Sequence, residues 1–318
     1  MIEVKDLVKK YGSHLAVEHL SFTLESGKIY GFLGPNGAGK STTMNIMTGY
    51  LGATQGSVLI DGHDILKEPE EAKKHIGYLP ELPPLYMDMT VQEYLEFAAE
   101  LKKLPKEKRE SDISEVMKLT RLQDVSGRLI KNLSKGYKQR VGLAQAILGF
   151  PEIIILDEPT VGLDPKQIIE IRELIRTLSK KHTVILSSHI LAEVREVCDY
   201  ILIISKGKLV ASDTPENLEL LRNGASSLEL EVKAAPETAR AILSTIDDID
   251  AMEMHSENEN LTRVKLETKN GADIREAVFY AFAEEKCPLL EMKTAKASLE
   301  DIFMELTQKE ESNDAGNL

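Results

Sequence analysis

The sequence predicts an α/β protein in two parts, a larger domain over residues 1–224 and a small α+β domain over residues 225–318. Three observations carry that reading. Over the first 215 or so residues, short β-rich runs alternate with helical patterns, as strands and helices do in α/β domains. Three of those runs, 28–33, 153–157 and 183–187, are almost continuously apolar, the pattern of strands buried on both faces of a parallel sheet. After Asn223-Gly224 the order changes to βαββαβ, that of the ferredoxin-like split motif.

Taken in order, the strands expected in the first part are Ser21–Glu25, Lys28–Leu33, Ser57–Asp61, Ile76–Leu79, Ile153–Asp157, Thr183–Ser187 and Tyr200–Ser205. Between Thr90 and Leu122 the pattern is helical, with apolar residues at 91, 94, 95 and 98 on one face. It marks a helical insertion, placed at about residues 82–150. Asp213-Thr214-Pro215-Glu216 opens a last helix and Asn223-Gly224 closes it. The second part is expected as β (Leu228–Lys233), α (Pro236–Ile246), β (Ala251–His255), β (Leu261–Glu267), α (Ala272–Glu285) and β (Leu289–Thr294). A final helix, Ser298–Thr307, starts on Ser298 and Asp301 as a cap signature, before a polar tail from Lys309.

Of 318 residues 42% are apolar, enough for a substantial core, and the formal charge is −13. From Ala225 onward 21 acidic residues face 10 basic ones, so most of that charge lies in the second part. Such a balance argues against a nucleic-acid partner, whose affinity comes from clustered Lys and Arg. It argues equally against adsorption to anionic lipid. Cys198 and Cys287 sit in no metal or redox spacing and read as reduced thiols. The longest greasy stretch, Ala144 to Leu156, is broken by Pro151 and Glu152, short of the roughly 18 to 20 residues that span a bilayer. Met1 leads into Ile2, Glu3 and Val4 without a basic region and an apolar signal. The expectation is a cytoplasmic chain, soluble by itself, that another protein must hold if it works at a membrane.

Gly34-Pro35-Asn36-Gly37-Ala38-Gly39-Lys40-Ser41 fits GxxxxGK[ST], between an apolar strand and a helix expected at Thr42–Tyr50. The glycines let the loop turn its N–H groups inward around a phosphate. Lys40 supplies a mobile cation for the outer phosphates, Ser41 a hydroxyl for Mg²⁺, and the helix start at Thr42 its positive dipole end. The loop therefore predicts binding of a nucleoside triphosphate with magnesium. Ile153-Ile154-Ile155-Leu156-Asp157-Glu158 is a buried strand ending in two acids, which point to opposite sides and need not share a task. Asp157 is read as the acid that holds Mg²⁺ through its water shell, and Glu158 as the base that orients and deprotonates the attacking water.

Leu133-Ser134-Lys135-Gly136-Tyr137-Lys138-Gln139-Arg140 resembles the LSGGQ signature of ABC ATPases, with Lys135 and Tyr137 departing from the common form. It lies 20 residues ahead of the acids, as in that family. Ser134, Gly136 and the N–H groups opening a helix expected at Lys138–Leu148 are suited to grip a γ-phosphate. Pro159-Thr160-Val161-Gly162-Leu163-Asp164 looks like the loop that crosses the dimer interface in that family, with Asp164 as its acid. His189 matches the histidine that contacts the γ-phosphate, and Tyr11 the aromatic that stacks on adenine. Tyr78-Leu79-Pro80-Glu81 matches the loop that normally carries Gln, with Glu81 in its place, either a metal ligand or only a hinge.

The resemblance covers about residues 2–220 and implies the P-loop NTPase fold of an ABC cassette with a helical subdomain. It implies that two copies close head to tail on two MgATP, each ATP lying between one subunit's phosphate loop and the other's signature helix. A separate integral membrane subunit then converts closure into substrate movement. The surface around Met89–Lys103 is its expected docking site, where Tyr86, Met87, Met89, Tyr94 and Phe97 suit either a helix-in-groove contact or simple core packing. The second domain carries no phosphate loop or metal pattern and is read as regulatory or dimer-stabilising. Its resemblance to tails of exporter cassettes favours export over import. The rival reading is a soluble ABC-type ATPase acting on a macromolecular complex. Its relatives carry two cassettes or long coiled coils, and this chain has neither.

Overall fold

Ile2–Tyr11 (β1) and His14–Leu24 (β2) pair antiparallel across a turn at Gly12, and Gln55–Ile60 (β4) and His63–Asp64 (β5) complete a four-stranded sheet in the order β2-β1-β4-β5. The structure, a computed structural model, describes residues 1–220, 227–258, 260–269, 272–295 and 303. No clean alternation marks β1 in the sequence. Asp6 adopts φ +50, the pairing register shifts between Val4 and Leu7, and Leu7 and Val8 are both buried. A bulge of this kind breaks the period of two on which a strand is recognised.

The central sheet runs β10-β9-β3-β8-β7-β6. Its strands are Ile29–Leu33 (β3), Ile76–Leu79 (β6), Ile153–Leu156 (β7), Thr183–Ser188 (β8), Tyr200–Ser205 (β9) and Lys208–Asp213 (β10). All pairs are parallel except β9 with the edge strand β10. β3, β7 and β8 are buried along their whole length, as their apolar runs predict. Phe32 on β3 meets Phe22 of β2 edge to face at 5.4 Å, so the two sheets share a core.

Helices follow strands as the parallel sheet requires: Lys40–Met47 (α1), Pro69–Lys74 (α2), Pro165–Ser179 (α6), Leu191–Val197 (α7) and Pro215–Leu220 (α8). Between β6 and β7 lies the helical insertion, Val91–Leu101 (α3), Lys106–Leu119 (α4) and Lys135–Ile147 (α5). Thr90 and Glu93 form a reciprocal capping box that fixes where α3 begins. Two of these helix starts differ from expectation. α1 begins at Lys40 rather than Thr42, because Gly39 at φ +104 already serves as its cap, and it ends at Met47 rather than Tyr50. α5 begins at Lys135 rather than Lys138, because the extended Ser134 accepts the Tyr137 N–H at 3.4 Å as N-cap.

β6 lies directly against the end of α5: a Cβ added to Gly77 would stand 2.1 Å from the Ala146 carbonyl oxygen. Neither backbone can yield, so Gly77→Ala is expected to destabilise the first unit by about 1–3 kcal/mol, as overpacking does. A urea-unfolding midpoint equal to the wild type's would show that the contact relaxes freely.

The chain divides into two compact units, one ending at Pro215 and the next beginning at Glu216. The second follows the expected βαββαβ order: Ser227–Val232 (β11), Pro236–Leu243 (α9), Ile249–Asn258 (β12), Leu261–Thr268 (β13), Arg275–Glu284 (α10) and Leu289–Ala295 (β14). Its sheet is antiparallel throughout, in the order β12-β13-β11-β14. Leu228, Leu230, Val264 and Leu266 pack against Leu243, Val278 and Phe282 of the two helices. Cross-strand ion pairs, Arg263–Glu231 at 3.2 Å and Lys293–Glu229 at 3.1 Å, also tie the strands together. The C-cap expected at Asn223-Gly224 and the helix expected at Ser298–Thr307 lie outside the described residues, Phe303 apart.

Candidate nucleotide site

The C-terminal ends of β3, β7 and β8 converge on one cavity of about 370 Å³. The loop from Gly34 to Gly39 rims it. At Gly39 a Cβ would come within 2.5 Å of the Ala16 carbonyl oxygen, and at Gly34 within 2.2 Å of the Ile204 carbonyl oxygen. The loop is therefore pressed onto β2 and β9 and leaves its inner side open. α1 has no side-chain cap and no acid in its first turn, so its leading N–H groups have no side-chain anion to satisfy them. That is the cradle a phosphate fits.

Lys40, only 6% exposed, curls back into the loop. Its ammonium donates to the Gly34 carbonyl at 2.7 Å and the Pro35 carbonyl at 3.2 Å, and lies 3.9 Å from Glu158 Oε1. Burial holds this ammonium below the usual lysine value, with the charges of Glu158, Asp157 and Glu81 pulling the other way. The cation is thus desolvated, kept on neutral carbonyls that a phosphate would outcompete.

Asp157 leaves the end of β7 beside Ser41, whose hydroxyl donates to Asp157 Oδ1 at 3.2 Å. The Ser187 hydroxyl at the end of β8 donates to the same oxygen at 2.5 Å. Glu81 lines the cavity too. Ser41, Asp157 and Glu81 form an all-oxygen set that suits a hard cation. Among the described residues, no group of three or more His, Cys, Asp or Glu side chains is arranged to hold a metal alone. Magnesium characteristically takes one or two carboxylates and completes its shell from water and substrate phosphates, so the residues fit it.

Glu158 is 7% exposed and adopts φ +47, a left-handed backbone that costs a non-glycine residue about 1–2 kcal/mol. Its N–H donates to Ser187 Oγ at 2.8 Å, and its carboxylate lies 3.0 Å from His189 Nδ1. The positive φ turns the chain sharply at the strand end and sends the carboxylate into the cavity between Lys40 and His189. Tyr11, half exposed, lines the cavity with Asn36, Gly37 and Thr42, and Lys9 Nζ stands 5.2 Å from the centre of its ring.

The structure brings together Tyr11, the loop through Thr42, Glu81, Asp157, Glu158 and His189. It places Ser134, Gly136 and Asp164 elsewhere, where α5 and α6 start side by side. Asp164 caps α6 by accepting the Gln167 N–H at 2.9 Å, and Gly136 packs against the Gln167 side chain. Ser187 and Glu193 were not anticipated. Ser187 carries a readable signal, a hydroxyl ending a buried apolar strand, whereas Glu193 reads as one more surface acid.

A model of the ABC transporter family matches residues 17–161. The chain is 36% identical to the uncharacterized ABC transporter ATP-binding protein YhcH of Bacillus subtilis (strain 168), over 96% of each chain. It is 35% identical to the bacitracin transport ATP-binding protein BcrA of Bacillus licheniformis, over 96% of this chain and 97% of that one. Against the linearmycin resistance ATP-binding protein LnrL of Bacillus subtilis (strain 168) the identity is 30%, over 96% and 98%. Among solved structures it is similar to an ATP-binding subunit of an ABC transporter, with a TM-score of 0.65 at 32% identity, covering 70% of this chain and 93% of that one. It is similar also to the dimeric post-hydrolysis state of the cassette MJ0796 bound to ADP and Pi, with a TM-score of 0.62 at 27% identity over 67% and 98%.

Proposed function

The chain belongs to the ATP-binding cassettes of ABC transporters and is an ATPase, and from that premise we propose that it drives export through a separate membrane subunit. The observation that carries the reading is the convergence of buried Lys40, buried Glu158 and His189 at the start of α1, which has no side-chain cap. Glu158 takes the proton of a water whose oxygen bonds to the γ-phosphorus as the bond to ADP breaks. His189 holds the Glu158 carboxylate from one side and Lys40 from the other. Lys40 and the α1 N–H groups stabilise charge on the transferred phosphoryl group. Ser41 and Asp157 would hold Mg²⁺, with Glu81 beside them, and the ion supplies Lewis-acid stabilisation of phosphate oxygens. Tyr11 is assigned to the adenine.

Ser134, Gly136 and Asp164 are assigned to the ATP of a second, identical chain packed head to tail. None of the three lines the cavity of its own chain, which supports this, as does the dimeric cassette among the similar structures. No described helix is long and apolar enough to cross a membrane. The docking surface proposed for the membrane subunit is the outer part of a groove of about 860 Å³, lined by Tyr50, Leu82, Pro84 and Lys102, the last just past the end of α3. Tyr50 and Leu82, on its walls, are 82% and 80% exposed, and Tyr86 and Met87 nearby are half exposed. Tyr94 instead packs in the core. Similarity to BcrA and LnrL extends over 96% of this chain, so it includes the second unit, and their names support export of antibiotic-like cargo.

A pull-down from native membranes with Glu158→Gln tests the proposal. A polytopic membrane protein should be recovered with MgATP and not with Lys40→Ala. Recovery of ribosomal or DNA-repair partners alone would replace transport by a soluble mechanical role.

A further inference from the structure

Glu193 is a buried acid, 7% exposed, that the proposed chemistry leaves unused. It lies on α7, one turn beyond His189. The Thr160 hydroxyl donates to its Oε2 at 2.6 Å, and the Ser188 hydroxyl donates to the same oxygen at 3.2 Å. Ser188 in turn accepts the Ile190 N–H at 3.0 Å. Thr160 is two residues past Glu158, and Ser188 immediately precedes His189. One carboxylate oxygen therefore joins the segment that carries the base to the segment that carries the histidine, over a sequence distance of about thirty residues.

Ser187 and Ser188 are consecutive on β8 and point to opposite sides of it. Ser187 grips Asp157 and the Glu158 N–H, while Ser188 reaches Glu193. The ends of β7 and β8 are thus stitched from both sides. A single hydrogen bond on the Glu158 N–H leaves its left-handed backbone free to relax, and such a conformation persists only where its surroundings over-determine it. The second stitch, through Thr160, supplies that constraint from the other flank. The 2.6 Å contact is the length of a charge-assisted O–H···O⁻ bond, which an apolar residue at 193 would forfeit.

We propose that Glu193 is a positioning residue that holds Glu158 and His189 in working register, an inference that rests on the roles assigned to that pair. The test uses the full chain, with steady-state kinetics and thermal melting. Glu193→Ala should lower kcat about ten- to hundredfold while KM for ATP stays within about twofold, because misplacement disturbs the chemical step and the phosphate loop is untouched. Glu193→Gln should recover turnover to within about threefold, since its amide oxygen accepts from both hydroxyls. Thr160→Val should lower kcat by itself and cost nothing further in the Glu193→Ala chain, as partners in one contact do. Should Glu193→Ala not fold, Thr160→Val and Glu193→Gln decide the matter. Unchanged kcat in Glu193→Ala or Thr160→Val overturns the inference, as does a Gln variant as poor as the Ala variant. Glu158→Gln separates the two claims: if it remains active, the roles of the pair are wrong, whereas if it is inactive and Glu193→Ala is not impaired, only the positioning role fails.

Discussion

Glu158→Gln is expected to lower ATP turnover by about 10²–10⁴-fold, with nucleotide affinity changed far less, because general base chemistry is removed and the shape retained. The amide cannot accept a proton from water. It can still bridge toward Lys40 and His189, which the carboxylate meets at 3.9 and 3.0 Å, so the phosphate loop keeps its support. The left-handed backbone at 158 is held by the Ser187 contact to the Glu158 N–H together with the Thr160–Glu193 contact, neither of which involves the Glu158 side chain. Phosphate release and equilibrium nucleotide binding, measured on the same preparation, check the split. A variant keeping more than about a tenth of its turnover would move the base elsewhere, with Asp157 the neighbouring candidate. The same split predicts that the variant stays closed on ATP as a dimer, which sizing with and without MgATP would detect.

The parts of this site legible in the sequence are those whose chemistry is written in consecutive residues. β3, the Gly34–Ser41 loop and α1 form one continuous strand–loop–helix, and β7 with its two acids is another. A strand buried on both faces announces itself by apolar continuity, so β3, β7 and β8 were readable to within a residue or so. β1 was not, because the bulge at Asp6 shifts which side chains face inward. β10, at the edge of the central sheet, has its three apolar residues, Leu209, Val210 and Ala211, consecutive and only partly buried, and offers no alternation to read. Helix starts were misjudged where one residue serves two purposes. Ser134 reads as a phosphate ligand and is also the cap of α5. In the second unit, alternation on β13 and clear turns made the whole βαββαβ order readable.

What the sequence hides is adjacency. Ser187 touches Asp157 and Glu158 because β7 and β8 are neighbours in the sheet, a fact of strand order that no local pattern encodes. Glu193 was invisible for the same reason: its partners Thr160 and Ser188 come from two different strand ends. The separation of Ser134 and Asp164 from the phosphate loop is likewise a product of folding. The sequence places them in order along the chain, and only the fold shows that α5 and α6 start together.

Lys40→Met should abolish useful nucleotide binding and yet leave the empty protein more stable than the wild type. In the fold, Lys40 surrenders most of its hydration and has backbone carbonyls in return, with the nearest carboxylate 3.9 Å away. Burial lowers its proton affinity below the ordinary lysine value of 10.5, so the unfolded chain holds that proton more tightly. The resulting cost is fully present below the folded value and disappears once the pH exceeds the ordinary value. Methionine has similar length and no charge to desolvate, so the melting temperature of the nucleotide-free variant should rise, by about 2–4 °C for each kcal/mol relieved. That advantage should shrink as the pH is raised toward 10.5. With MgATP the order reverses: a ligand at a hundred times its Kd stabilises the wild type by about 2.7 kcal/mol and the variant gains almost nothing. Thermal melts across pH, with and without MgATP, check both halves. A variant that melts lower than wild type without nucleotide would mean that the carbonyl contacts outweigh the desolvation, and Lys40 would then be part of the scaffold as well as of the site.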